Sequence, residues 1–118
     1  MVDSDCNIHE TATIFSPELC NIYGWTIGAR TFIGPFVEIQ RGAVIGRDCK
    51  IESHTFICDR VYIGDEVFIG HGVMFTNDVY PTINPKPLVA TYVLDNVSIG
   101  SGATILPVTI GRGATVGA

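Results

Sequence analysis

The sequence predicts an all-β fold, a parallel β-helix of three-sided coils, on three observations. An aliphatic or aromatic residue recurs at every sixth position, through Ile27, Ile33, Ile39, Ile45, Ile51, Ile57, Ile63, Ile69 and Phe75. Two residues ahead of the later members stands a small or β-branched residue: Thr31, Val37, Ala43, Cys49, Thr55, Val61, Val67 and Val73. Glycine follows the aliphatic residue at Gly28, Gly34, Gly46, Gly64 and Gly70.

A spacing of two puts both apolar residues on one face of a strand, so both point into the interior. Glycine behind them suits a tight corner, where a Cβ would strain the backbone. Three six-residue sides close a coil of eighteen, and successive coils stack as parallel strands roughly 4.8 Å apart. A sandwich of short strands turns every 8–12 residues or so and lacks this phase coherence.

Before Ile27 the period loosens through Ile8, Ile14 and Ile22, so residues 1–24 are expected to form an irregular first coil. Compared by eighteens, Gly28, Gly46 and Gly64 make one all-glycine corner, whereas another corner reads Gln40, Cys58, Thr76 and Leu94. Just after it, residues 77–90 contain Pro81, Pro85 and Pro87, which cannot donate to a strand ladder, and a loop is expected to leave the coil there. Phe75 and Val93 lie eighteen apart, so the excursion is expected to replace about one turn. The period resumes through Val93, Ile99 and Ile105, skips one residue in LPVTIG, and continues through Ile110 and Val116.

The residue between two inward ones faces out. Here it is Phe32, Phe56, Tyr62, Phe68, Met74, Tyr80 and Tyr92, with Glu38 and Lys50 as exceptions. Aromatics in registered columns are expected to form a patch large enough to mark a buried interface. A three-sided prism most readily closes with cyclic symmetry, so a homotrimer is expected.

Composition bounds the rest. The 118 residues suffice for one domain over 1–118, and 47% apolar content supports a core without disulfides or metal. Net charge is −5, and no run of Lys or Arg offers a surface for nucleic acid or an anionic membrane. Cys6, Cys20, Cys49 and Cys58 show no CxxC spacing and no companion His cluster, so no metal site is expected and free thiols in a reducing cytoplasm fit better. The acidic start MVDSD is unlike a signal peptide, and no apolar run approaches membrane-spanning length.

With the repeat go the segments NIYG (21–24), GPFVEIQ (34–40), CKIESHTFI (49–57), IGHGVMFTNDVYP (69–81) and, within it, FTND (75–78). On these the chain resembles the left-handed β-helix hexapeptide acyltransferases, and within them the N-acetyltransferases that modify amino groups on nucleotide-linked sugars. The resemblance implies a left-handed coil, a trimer with active sites in the grooves between subunits, and acetyl-CoA as acyl donor lying alongside the coils. It also implies that Gly100, Ser101 and Gly102 offer backbone amides and small side chains to the pantetheine arm, and that Arg112 meets a CoA phosphate. Against that family the loop after Asn77 is short, and TVGA stands where relatives run on through another coil and a cap.

Acyl transfer to an amine needs the amine in line with the thioester carbonyl and donors for the developing oxyanion; a general base assists. His71 holds an outward corner position, with Ser53 stacked below it and His54 at the same corner one coil earlier. His71 is the expected base. Asn77 and Asp78 lie where the loop departs and suit turn formation; the resemblance gives Asn77 an orienting or oxyanion-facing role. Substrate contacts are expected from His54, Asp78 and Tyr80. His71 and Asn77 belong to different corners, so one site can use both only across a subunit boundary. O-acetylation of a hydroxylated acceptor and a non-catalytic trimeric scaffold are the competing readings.

Overall fold

In the computed structural model, which describes residues 1–24, 26–84 and 86–118, each six-residue unit supplies one strand of two or three residues and one corner. Ile, Val and Thr dominate these strands because branched side chains favour a pleated, half-buried surface. The strands stack as three parallel sheets, the faces of a triangular solenoid. Face I carries Asn7–Ile8, Thr26–Ile27, Val44–Ile45, Val61–Ile63, Thr91–Val93 and Thr109–Ile110. Face II carries Thr13–Ile14, Phe32–Ile33, Lys50–Ile51, Phe68–Ile69, Ser98–Ile99 and Thr115–Val116. Face III carries Asn21–Ile22, Glu38–Ile39, Phe56–Ile57, Met74–Phe75 and Thr104–Ile105.

All the inward positions named from the period are buried, from Ile27 through Phe75 and from Thr31 through Val73. Full burial of one Ile or Val side chain contributes roughly 1.5–3 kcal/mol, so the stacked column of isoleucines is the main source of cohesion between coils. The first coil already joins all three faces, with Asn7 paired to Thr26, Thr13 to Phe32 and Asn21 to Glu38. A 3-10 turn at Pro17–Leu19 takes up its extra residues.

Glycine's place in the corners has another cause than the one expected. From Ile27 onward the left-handed backbone positions fall three residues after the inward aliphatic, at Arg30, Phe36, Asp48, His54, Arg60, Glu66 and Asn96 as well as Gly42, Gly72, Gly102 and Gly113. Gly28 and Gly46 are not among them. A Cβ on Gly28 would lie 2.5 Å from the Gly46 carbonyl, and one on Gly46 would lie 2.5 Å from the Gly64 oxygen. Coil-to-coil approach, not backbone strain, requires glycine there.

The loop also differs from expectation. Register between coils is eighteen where Lys50 pairs with Phe68, but thirty where Phe68 pairs with Ser98. Twelve residues are therefore inserted at one corner, between faces III and I, and no turn is replaced. Leu94 consequently leaves the Gln40, Cys58 and Thr76 column and joins the glycine column, where the Gly64 N–H donates to the Val93 carbonyl at 2.8 Å. Of the three loop prolines, Pro85 lies outside the described residues.

The outward apolar residues do not form a single patch. Val44, Tyr62 and Tyr92 line face I, with the two tyrosine rings stacked at 5.3 Å. Phe32 and Phe68 belong to face II, Phe56 and Met74 to face III, and Tyr80 to the loop.

Candidate functional site

At a corner the strand ladder stops, and backbone N–H groups need partners from side chains one coil away. Asp65 Oδ1 accepts from Arg47 N at 3.0 Å, and Asp95 Oδ1 accepts from Asp65 N at 2.8 Å, at the corner between faces I and II. The corner between faces II and III follows the same rule: Ser101 Oγ accepts from His71 N at 3.0 Å. The His71 carbonyl in turn accepts from Gly102 N at 2.8 Å, and Gly72 N donates to the Ser53 carbonyl at 3.0 Å. Three consecutive coils thus lock Ser53, His71 and Ser101 into one column.

The His71 ring has a polar group near each nitrogen. Nδ1 lies 2.9 Å from Ser53 Oγ, and Nε2 lies 3.7 Å from Glu52 Oε2. Glu52 Oε1 meets Lys50 Nζ at 3.3 Å. Glu52 is only 15% exposed against 60% for His71, so an exposed imidazole rests on a largely buried carboxylate. Glu52 was not among the sequence-derived site residues; its signal was its place beside Ser53, at the corner directly beneath His71. His54 shares this corner, held at φ +65° with its ring stacked on Phe36 at 4.9 Å.

Asn77 and Asp78 occupy the corner between faces III and I. Asn77 Nδ2 donates to the Asp59 carbonyl at 2.9 Å, and its own carbonyl accepts from Val89 N at 3.0 Å, which closes the base of the loop. Asp78 Oδ1 accepts from Tyr80 N at 3.1 Å, the turn geometry that Asx residues favour. Tyr80 projects into solvent, with Lys86 Nζ 5.7 Å from its ring centre. One coil below lies an open polar cleft of about 440 Å³ lined by Tyr23, Glu38, Gln40, Arg41 and Asp59. Arg41 there is tied to Asp5 at 2.7 Å and Asp3 at 3.2 Å.

One protein chain therefore brings together His71, His54, Gly100, Ser101 and Gly102 at the II–III corner. It sets Asn77, Asp78 and Tyr80 apart at the III–I corner and loop. Arg112 falls at the third corner, exposed and without an ion pair among the described residues. Among the described residues no three His, Cys, Asp or Glu side chains gather where a metal ion could sit. No helix among them is long and apolar enough to cross a membrane. Burial pushes the Cys58 thiol up to about 11 and raises that of Cys49 as well.

Residues 26–59 and 42–77 match the family described as "Bacterial transferase hexapeptide (six repeats)", and residues 95–118 match "Hexapeptide repeat of succinyl-transferase". The bifunctional protein GlmU of Dichelobacter nodosus is 33% identical over 132 residues, covering 97% of this chain and 27% of that protein. The corresponding protein of Herminiimonas arsenicoxydans is 28% identical, covering 99% of this chain and 29% of its own length. The chain thus spans less than a third of these curated relatives. A crystal structure of a histidine-to-alanine mutant of GDP-perosamine N-acetyl transferase from Caulobacter crescentus, in complex with CoA and GDP-perosamine, superposes with a TM-score of 0.64 at 18% identity. That match covers 94% of this chain and 50% of the other.

Proposed function

The chain belongs to the bacterial hexapeptide-repeat transferases, and from that premise we propose that it moves an acyl group from acetyl-CoA to the amine of a nucleotide-linked sugar. The observation that carries the reading is the II–III corner: an exposed imidazole anchored by Ser53 and backed by Glu52. The structural neighbour's complex with CoA and a sugar nucleotide supports the choice of donor and acceptor class.

In this reading the amine attacks the thioester carbonyl, a C–N bond forms as the C–S bond breaks, and CoA leaves as a thiolate that takes up the proton. His71 receives the amine proton on the way. Gly100, Ser101 and Gly102, stacked on the same corner, line the donor's path, with His54 beside it. Asn77, Asp78 and Tyr80 come from the neighbouring copy of a cytoplasmic homotrimer and orient the acceptor, and Arg112 meets a CoA phosphate. Asn77 Nδ2 gives one of its two N–H groups to the Asp59 carbonyl, which leaves the second N–H and the amide oxygen for the acceptor or the thioester carbonyl.

The test is thiol release from acetyl-CoA across a panel of amino-sugar nucleotides and their hydroxyl analogues. Turnover with the amines alone supports the reading, turnover with the hydroxyl analogues makes it an O-acetyltransferase, and no turnover with any favours the scaffold. His71→Ala should lower kcat about 10²–10⁴-fold, the usual contribution of a positioned base. Mixing inactive His71→Ala and Asn77→Ala proteins should restore part of the activity, since hybrid assemblies contain some grooves with both native residues. A mixture that stays inactive removes the shared-groove arrangement.

A further inference from the structure

We propose that Ser53, not the imidazole itself, is the group that meets the reacting amine, relaying its proton to His71 Nδ1; the inference rests on the acyl-transfer reading above. Three observations carry it.

The first is what faces each ring nitrogen. Nε2 looks toward the Glu52 carboxylate, 3.7 Å away, whose other oxygen holds the Lys50 ammonium at 3.3 Å. The 3.7 Å separation is longer than a hydrogen bond, and the negative charge favours, through space, the tautomer whose N–H faces it. In that tautomer the lone pair lies on Nδ1, and Ser53 Oγ at 2.9 Å is the donor to it. A base whose lone pair is capped by a hydroxyl takes its proton through that hydroxyl. Acid, imidazole and hydroxyl are thus in series, as in serine hydrolases, with the two ring nitrogens exchanged.

The second is why Ser53 is free for this. At the I–II and II–III corners polar side chains cap the backbone N–H one coil below, as Ser101 does for His71, Asp65 for Arg47 and Asp95 for Asp65. The residue one coil below Ser53 is Pro35, which has no N–H. Relieved of the capping task, the Ser53 hydroxyl bonds upward to the imidazole instead.

The third is rigidity. Ser53 and His71 are clamped by Gly72 N on the Ser53 carbonyl at 3.0 Å, and His71 is held from above by Ser101. The relay pair is therefore built into the solenoid register. Within the step, the ammonium formed on attack gives its proton to Ser53 Oγ while the Ser53 proton passes to Nδ1. The imidazolium, facing Glu52, then returns a proton through Ser53 to the departing thiolate. No other reactant is consumed.

The experiment has two arms. Long-range ¹H–¹⁵N correlation on protein labelled at histidine should show His71 in the Nε2–H tautomer, and Ser53→Ala should weaken that preference. An Nδ1–H tautomer in the native protein would overturn the relay whether or not any substrate is turned over. In the kinetic arm, Ser53→Ala should lower kcat about 10²-fold with KM within about two-fold, and Ser53→Thr should recover part of the loss. Ser53→Ala added to His71→Ala should cost nothing more, as expected for groups acting in series. Native kcat in Ser53→Ala overturns the proposal, as does an acyl group trapped on Ser53 by mass spectrometry. If His71→Ala alone keeps native activity, the base reading fails while the tautomer still decides the hydrogen-bond chain.

Discussion

Replacing Thr91 with valine should stabilise the protein, and the same change at two equivalent threonines should do the opposite. Thr31, Thr55 and Thr91 all occupy inward positions and all are buried. Thr31 is used twice, donating to the Gly46 carbonyl at 2.8 Å and accepting from Cys49 N at 3.1 Å. Thr55 is used once, donating to the Gly70 carbonyl at 2.9 Å. Thr91 Oγ1 has no partner among the described residues. A buried unsatisfied hydroxyl costs about 1–3 kcal/mol, so Thr91→Val should gain about 1–2 kcal/mol. Its strand neighbour one coil below, Val61, shows that the site takes the valine shape. Thr55→Val should lose about 1 kcal/mol, and Thr31→Val about 2–3 because it orphans a buried N–H as well. Urea unfolding followed by circular dichroism reads these differences: with an m-value of about 1.5 kcal/mol/M, Thr91→Val should raise the midpoint by roughly 0.7–1.3 M. A lowered midpoint for Thr91→Val at unchanged m, or a Thr31→Val no worse than Thr55→Val, would refute this use of hydrogen-bond satisfaction.

Gly46→Ala should destabilise by about 1–3 kcal/mol, since its Cβ would meet the Gly64 backbone of the next coil, and a matched urea series would show it. With the Cys58 thiol raised to about 11, only about one molecule in a thousand is thiolate at pH 8, so native labelling of Cys58 by a disulfide reagent should be slow and become fast in denaturant. Cys49, raised by burial in the same direction, should behave alike; prompt native labelling of either counts against the register. The Arg30 guanidinium, bonded to Asp48 at 2.7 and 2.9 Å, holds the Asp48 carboxyl below the usual carboxylate range. A depressed folded value means that the pair contributes above the ordinary carboxylate range and is lost as pH falls through the folded value. The stability gap between native protein and Asp48→Asn should therefore close on acidification and narrow in high salt; a gap independent of pH would show that the pair contributes nothing.

Much of this molecule was legible because a six-residue side with a two-residue inward pair leaves the core no alternative register. Every inward residue from Ile27 to Phe75 is buried where the period puts it, and the spacing of eighteen placed Ser53 under His71. The same period was blind to what exceeds one repeat. A step of eighteen from Phe75 to Val93 satisfies the phase whether a turn is replaced or twelve residues are inserted, and only the pairing of Phe68 with Ser98 distinguishes them. Glycine at Gly46 could be read as a bend until the stacked coil showed the space above it to be filled. Side-chain reach between coils was likewise invisible: that Glu52 backs the imidazole and that Asn77 gives an amide N–H to Asp59 depend on neighbours eighteen or more residues away. Periodicity determines which way a residue points, whereas what it touches is decided by the coil stacked against it.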